Sequence, residues 1–335
     1  AISFKEASKL IVSFGGTLAL SRIIETIGSF ITAQFFSDIS PQTLSASALI
    51  TTFDLLMNKT PRFSLYSMEY LIGDSHGREQ GLKHAHIKKL NDNDEENENK
   101  NEMDENAQND LNIDKLNKHV ILRSGYLYGS ALSLLPITLS IFSGSILKRF
   151  GQDPALADIA QTYFRSYAYS LPAFYLQGAN QQYLIGSSKP HIVLIENLLQ
   201  QALFISLAYC MAFGKLGLKE RGVEGIGYAN SIATWIGFSL LTFYMLATKK
   251  ADLKQLFSKY KKGTLDALGE IIKLGFPIAV FSFIEISTLF SSSIMIGYFA
   301  TNELRSYEVV AQYGSLLITP VFSLSTATGV LVSQF

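Results

Sequence analysis

One glutamate, Glu285, stands within a long apolar stretch of this sequence, where its side chain could take up and release a cation. Phe281, Phe283 and Leu289 surround it. An ionisable side chain costs at least about 2.5–3.5 kcal/mol at the centre of a bilayer, so its presence demands a partner or a purpose. Burial favours the neutral form of a carboxylic acid, and a nearby cation favours the charged form. A carboxylate under both influences can exchange a proton for Na⁺ or for an organic cation. The alternative is a glutamate satisfied by hydroxyl groups or water inside a helix bundle.

Two further glutamates are candidates for cation coupling. Glu25 precedes Glu285 by about 260 residues, and Arg22 lies one turn before it. That spacing permits an ion pair on one helix face, so we predict a structural pair, with cation exchange as the alternative. Glu196 is the other candidate, for the exchange of protons.

Polar side chains in other apolar stretches extend this set. Asp54, Lys59 and Arg62 fall within one such stretch; they either line a water-filled cavity or mark a sequence no longer selected for function. Amide side chains usually hold membrane helices together at roughly 0.6 kcal/mol per contact, and ligand contact is the alternative. The predicted cavity-lining residues are Asp54, Gln177, Asn180, Gln181, Asn197 and Gln200.

Eight apolar stretches are long enough to hold these side chains on membrane-spanning helices. Because lipid offers no hydrogen-bond partner, each span must satisfy its own backbone, which takes about 20 mainly apolar residues. The predicted spans are residues 7–36, 42–73, 120–147, 157–185, 190–214, 224–248, 270–299 and 303–334. Strand patterns are nearly absent, so the sequence predicts an all-α, multi-pass integral membrane protein whose main partner is the lipid bilayer.

The distribution of charge suggests an orientation. The 335 residues are 48% hydrophobic and 17% charged with a net charge of zero, which offers nucleic acid no basic field. Basic residues cluster between the second and third spans and between the sixth and seventh. Such clusters favour the cytoplasmic side, which predicts a cytoplasmic amino terminus.

One segment of the chain is too polar to fold. Residues 91–117 form an acidic, Asn-rich run with little apolar surface. We predict a disordered cytoplasmic insertion over about 76–119, with a partner-binding segment as the alternative.

Three common signatures of soluble enzymes are absent from the sequence. The sequence has no GxxxxGK[ST], HExxH or CxxC pattern, and Cys210 is its single cysteine. We therefore predict neither an enzyme nor a cofactor, and no metal beyond a possible Na⁺ at Glu285, with Na⁺ or H⁺ as the coupling ion.

An internal repeat predicts two related lobes. The segment Thr60–Leu65 (TPRFSL) recurs as Thr319–Leu324 (TPVFSL), with five of six residues identical. Transporters are commonly built from such repeats. We predict a six-span first lobe over residues 1–248, a cytoplasmic link over 249–269, and two spans of a second lobe over 270–335. Four further helices would complete that lobe, so we expect either a truncated protein or a fragment of a longer chain.

Four groups of motifs carry a family resemblance. They are residues 274–279 (LGFPIA) with 283–285 (FIE); 183–190 (YLIGSSKP); 213–217 (FGKLG) with 222–229 (GVEGIGYA) and Trp235; and 45–48 (SASA) with 327–334 (ATGVLVSQ). In this order and spacing the chain resembles the multidrug and toxic compound extrusion family, closest to its norfloxacin-efflux branch. The resemblance covers nearly everything except the acidic insertion.

The resemblance implies a MATE-like bundle whose lobes enclose a cavity that opens alternately to either side. It implies export of small-molecule organic cations in exchange for Na⁺ or H⁺, by a monomer in the cell membrane, which is the inner membrane in a bacterium. Two alternatives remain open. Lys59 and Arg62 would suit a flippase for lipid-linked saccharides, while the missing helices and the charged second span would suit a non-transporting remnant.

Overall fold

The computed structural model describes residues 4–92, 118–248, 263–299 and 303–334, and all regular structure within these ranges is helical. The predicted spans correspond to the following helices: span 1, Phe4–Ile39; span 2, Pro41–Phe53 and Ser67–Asp92; span 3, Lys118–Ile141, followed by Ser143–Arg149; span 4, Pro154–Tyr167 and Leu171–Gly186; span 5, Pro190–Ala212; span 6, Gly222–Ala247; span 7, Thr264–Phe299; span 8, Leu304–Ser333. The all-α prediction is confirmed.

Six of these spans are single helices that are long and apolar enough to cross a membrane: spans 1, 3, 5, 6, 7 and 8. Spans 2 and 4 are interrupted. In span 2 a π-helical segment, Asp54–Lys59, and a 3-10 segment, Pro61–Tyr66, separate the two α-helices. In span 4 the interruption is a 3-10 turn at Ala168–Ser170. These breaks place irregular backbone inside the bundle, where protein partners can satisfy it.

Polar side chains cap the first helix of spans 2 and 4, in the gaps between the predicted spans. Ser40 Oγ accepts a hydrogen bond from the Thr43 backbone N–H at 3.1 Å, and Pro41 occupies the first turn. Asp153 Oδ1 caps the first helix of span 4 by accepting from Ala155 N–H at 2.7 Å. Each cap satisfies a backbone donor that the new helix leaves free.

The predicted start of the disordered insertion is wrong. The second helix of span 2 continues to Asp92, because residues 76–90 are mostly good helix formers and the Asn-rich composition begins only at residue 91. Lys118, at the start of span 3, forms an ion pair with Glu79 near the base of the insertion. The rest of the predicted insertion, and residues 249–262 of the inter-lobe link, lie outside the described residues.

Spans 7 and 8 share their core with the first lobe. One buried apolar cluster joins Phe53 of span 2 and Phe164 of span 4, with ring centroids 5.0 Å apart, to Phe290 of span 7. A second cluster joins Met68 of span 2 to Ala327 of span 8. Burying these side chains together stabilises the contact between the predicted lobes.

Two contacts between the predicted lobes involve equivalent positions of the internal repeat. Span 1 packs against span 8 at Gly15, where a Cβ atom would lie 2.9 Å from Leu324 Cδ2. Span 7 packs against span 2 at Gly275, where a Cβ atom would lie 2.1 Å from the backbone oxygen of Ser64. The two glycines are about 260 residues apart, which is the offset of the repeat. Each permits a close helix crossing.

Candidate cation site in the first lobe

The carboxylate of Glu196 lies at the centre of a buried polar network between spans 4 and 5. Its side chain is 3% exposed. Gln177 Nε2 donates to Oε1 at 2.6 Å, and Gln181 Nε2 donates to Oε2 at 3.1 Å. Both partners are neutral amides, and no lysine, arginine or histidine in the described part of the chain forms a salt bridge with Glu196. The carboxylate therefore has hydrogen-bond donors but no salt-bridge partner among the described residues.

Asn197 connects this carboxylate to a second one on span 1. Its Nδ2 donates to Glu25 Oε1 at 2.7 Å and to Ser21 Oγ at 2.6 Å. Its Oδ1 accepts from Gln181 Nε2 at 3.2 Å. A continuous chain of amides thus joins Glu25, which is exposed, to Glu196, which is buried. The site has one accessible carboxylate and one enclosed carboxylate.

Span 6 closes the network because a glycine lets it approach. A Cβ atom on Gly237 would lie 2.6 Å from Glu196 Oε1 and 2.6 Å from Gln200 Oε1. Gln200 accepts from Gln177 Nε2 at 2.5 Å, and its own Nε2 lies 3.5 Å from Thr234 Oγ1. The lack of a side chain at position 237 therefore leaves room for the carboxylate and its amide partners.

A guanidinium group approaches the network from span 2. Arg62 Nη2 donates to Gln181 Oε1 at 2.6 Å, and its Cζ lies 4.0 Å from the centre of the Phe174 ring, a cation–π geometry. Gln181 thus contacts the cation through its oxygen and the Glu196 carboxylate through its nitrogen. The sequence marks Arg62 only as a costly charge in a span; its partners were not foreseeable.

The structure brings together six of the nine predicted site residues: Glu25, Gln177, Gln181, Glu196, Asn197 and Gln200. Asp54 and Asn180 have partners elsewhere. Asp54 Oδ2 lies 3.1 Å from Lys59 Nζ, and Asp54 Oδ1 accepts from Asn58 Nδ2 at 3.0 Å. Asn180 accepts from the Tyr126 hydroxyl and donates to Thr242 at 3.0 Å, so it joins spans 3, 4 and 6.

Glu285, the ninth predicted site residue, lies apart from the network. It occupies an exposed face of span 7, while the neighbouring Ile286 and Phe290 point into the core. The enclosing bundle expected around this carboxylate is therefore not formed by the described residues. The proposed role of Glu285 in cation coupling stays a prediction.

The predicted ion pair between Glu25 and Arg22 is wrong. Arg22 Nη2 donates to Thr326 Oγ1 of span 8 at 3.4 Å, and its guanidinium lies 5.9 Å from the centre of the Tyr66 ring. Glu25 instead accepts from Asn197. Residues three apart can meet on a helix, but here a neighbouring helix supplies a partner for each.

Sequence reasoning missed two other buried glutamates, Glu69 on span 2 and Glu308 on span 8. Each is 1% exposed. Both fall within predicted spans, so the signal that singled out Glu285 was present for them too.

Known proteins resemble this chain in sequence and in fold. The family model named MatE matches residues 115–210. The probable multidrug resistance protein NorM of Mannheimia succiniciproducens is 29% identical over 204 residues, which cover 60% of this chain and 44% of that protein. The chain thus spans less than half the length of this curated relative in the match.

Solved structures share the fold over almost the whole chain. The eukaryotic MATE transporter AtDTX14 matches with a TM-score of 0.76 and 18% identity, over 98% of this chain and 65% of its own. A transporter of the MOP superfamily from Pyrococcus furiosus, described as having a binding pocket of reverse polarity, matches with a TM-score of 0.69 and 16% identity, over 96% and 63%. The matched family model, the similar proteins and the shared fold agree: this multi-pass membrane chain is similar to proteins of the multidrug and toxic compound extrusion (MATE) family, by sequence over part of its length and by fold over nearly all of it.

Proposed function

We propose that this protein is a secondary transporter that exports organic cations in exchange for Na⁺ or H⁺, with Glu196 and Glu25 as its first-lobe coupling site. The observation that carries the proposal is the buried Glu196 carboxylate, whose hydrogen-bond donors are the neutral amides of Gln177 and Gln181. A carboxylate in such a place needs a cation to balance its charge. The multidrug resistance name of the similar protein supports export of small molecules.

The network can couple two cations because they compete for one pair of carboxylates. A proton or Na⁺ bound at Glu196 neutralises the enclosed group, while an organic cation approaching the exposed Glu25 is attracted by the charge that remains. The Asn197–Gln181 chain links the two carboxylates by hydrogen bonds, so occupation of one alters the donors available to the other. Alternating access would then move one cation inward for each cation released outward.

Uptake assays test this proposal. In cells that express the full-length gene, we expect ethidium accumulation below that of empty-vector cells. Glu196→Gln should restore accumulation to the empty-vector level, and Glu25→Gln should restore it in part. Glu220→Gln removes an equal charge from an exposed link and should leave export unchanged. If Glu196→Gln exports ethidium as well as the unaltered protein does, the carboxylate is not the coupling group.

We also propose that the amino terminus lies in the cytoplasm of a cell-membrane protein. The basic residues near the link between spans 2 and 3, including Arg78 and Lys118, support that orientation. Single cysteines introduced at Lys118 and, on the other side, at Lys215 should react with an impermeant maleimide from opposite faces, after Cys210 is replaced by Ala. Labelling of Lys118→Cys from outside intact cells would reverse the topology.

A second candidate function, a flippase for anionic lipid-linked saccharides, has one observation in its favour. Lys59 retains a side chain that is 43% exposed, and Arg62 lies nearby on the same span. Asp54 already neutralises Lys59 at 3.1 Å, which weakens a site for anions. If an anionic lipid-linked sugar protected a Lys59→Cys variant from alkylation and ethidium did not, the flippase would be favoured.

A further inference from the structure

The carboxylate of Glu308 lies at a contact between the two predicted lobes. Its side chain is 1% exposed. Oε1 accepts a hydrogen bond from Thr51 Oγ1 of span 2 at 3.1 Å and another from Gln312 Nε2 of its own helix at 2.8 Å. Thr51 belongs to the first lobe and Glu308 to the second. The contact is therefore present only while spans 2 and 8 stay together.

The other oxygen of this carboxylate has no hydrogen-bond partner in the part of the chain that the structure describes. Glu308 Oε2 is buried and accepts no hydrogen bond from any described residue. Arg305, one turn earlier on the same helix, donates through Nε to Ser45 Oγ at 3.1 Å. The hydroxyl of Tyr307 donates to the backbone oxygen of Leu289 at 3.0 Å. The cation and the hydroxyl closest in sequence are thus directed elsewhere.

Five charged groups on spans 1, 2 and 7, which pack against span 8, do not contact Glu308 either. Arg22 on span 1 contacts Thr326, Glu25 on span 1 contacts Asn197, Asp54 and Lys59 on span 2 contact each other, and Glu285 on span 7 is exposed. No salt bridge to Glu308 is formed within the described ranges. A carboxylate buried without a countercharge is costly, and an unpaired buried acceptor adds to that cost.

We propose that Glu308, with Thr51, forms a second cation-binding site, which takes a proton or Na⁺ at Oε2. A proton would convert Oε2 into a neutral hydroxyl and remove the buried charge. Na⁺ would be held by the carboxylate and by the free lone pairs of the Thr51 hydroxyl, since hard cations prefer oxygen ligands. The site shares no residue with the Glu196 network and does not depend on whether the protein exports organic cations.

Occupation of this site is linked to the arrangement of the lobes. With a cation bound, Glu308 can remain enclosed between spans 2 and 8. Without one, the charged carboxylate favours separation of the spans and access of water. By linkage, a cation that binds the closed arrangement more tightly also stabilises it. The site thus couples cation occupancy to closure at the contact between spans 2 and 8.

The proton arm of the test uses infrared spectroscopy on the purified protein in lipid nanodiscs, without any drug. The protein carries Glu196→Gln, so that the first-lobe carboxylate does not contribute. We expect a C=O band of a protonated carboxylic acid that Glu308→Gln removes. The matched control, Glu303→Gln, removes an exposed carboxylate at the start of the same helix and should leave the band unchanged. Thr51→Val keeps Glu308 but removes its donor, and should shift the band to higher frequency.

The sodium arm measures equilibrium binding of radioactive Na⁺ to the same variants. If Na⁺ is the ligand, Glu308→Gln should lose one bound ion per chain, Thr51→Val should bind it more weakly, and Glu303→Gln should bind normally. Helix content and elution as a single species show which variants fold. If Glu308→Gln does not fold, Thr51→Val provides the test in its place. If neither the band nor Na⁺ binding depends on Glu308 or Thr51, the second site does not exist, whatever the export assays show.

Discussion

Spans 2 and 8 carry the same sequence element but differ in backbone. Thr60–Leu65 and Thr319–Leu324 share five of six residues. In span 8, Pro320 lies inside one continuous helix, Leu304–Ser333. In span 2, the equivalent Pro61 follows a π-helical segment and begins a 3-10 segment. A proline removes one helix hydrogen bond in either place, so proline alone does not account for the difference.

A tertiary contact accounts for it. Within span 2 the Thr60 backbone N–H makes a π-helical bond to Leu55 O at 2.9 Å, and from span 4 the Tyr175 hydroxyl donates to Asn58 O at 2.7 Å. In span 8, Thr319 Oγ1 makes the ordinary helical contact to Ser315 O at 2.7 Å. Carbonyls released by a broken helix must find donors, and among the described residues only span 2 has a neighbouring helix that supplies one at this point. Equal local sequence thus gives different structure where the neighbours differ.

The largest expected effect concerns the glycines that pack against these two elements. Gly275→Ala would place a Cβ atom 2.1 Å from the Ser64 backbone oxygen in the broken segment, whereas Gly15→Ala would meet the end of the Leu324 side chain at 2.9 Å. Overpacking costs about 1–3 kcal/mol. We expect Gly275→Ala at the upper end of that range and Gly15→Ala at the lower end, because a side chain can turn aside and a backbone cannot.

Unfolding of the purified protein in mixed detergent micelles measures both free energies. Gly16→Ala is the matched control, since a Cβ atom there meets nothing within 4 Å. Equal losses for Gly15→Ala and Gly275→Ala would mean that the two lobe contacts are equally tight, and the contrast between spans 2 and 8 would not extend to their packing.

A smaller effect is expected at the one position where the repeated elements differ, Arg62 against Val321. The Arg62 guanidinium contacts the Phe174 ring at 4.0 Å and Gln181 at 2.6 Å. A double-mutant cycle with Arg62→Val and Phe174→Leu should give a coupling free energy of about 1–2 kcal/mol, within the range of desolvated cation–π pairs. The control cycle pairs Arg62→Val with Tyr169→Leu, which is exposed, and should give no coupling. If the free-energy changes of the two substitutions in the first cycle are additive, Arg62 does not anchor the broken segment through Phe174.

The sequence predicted the helices well because their cause is local. A span needs only length and apolar composition, and all eight predicted spans are helical in the described ranges. The amide candidates Gln177, Gln181, Asn197 and Gln200 were also found, since a polar group in an apolar stretch is visible without a structure. Their partners were not, because contacts between spans 1, 4 and 5 depend on packing. The spacing of Arg22 and Glu25 therefore predicted an ion pair, whereas in the structure each of them contacts a residue of a neighbouring span.

The smallest effect should come from removing a single hydroxyl, with Tyr175→Phe. This buried residue donates to Asn58 O in the π-helical segment, and a neutral hydrogen bond contributes about 0.5–1.5 kcal/mol to stability. We expect a loss of about 1 kcal/mol and faster hydrogen exchange at the backbone amides of residues 58–60, because the freed carbonyl no longer holds the break in one conformation. Tyr209→Phe alters an exposed tyrosine and should change neither. If Tyr175→Phe leaves hydrogen exchange in span 2 unchanged, the break is maintained by Asp54, Asn58 and Lys59 within span 2 itself. The difference from span 8 would then come from those polar side chains and not from the neighbouring helix.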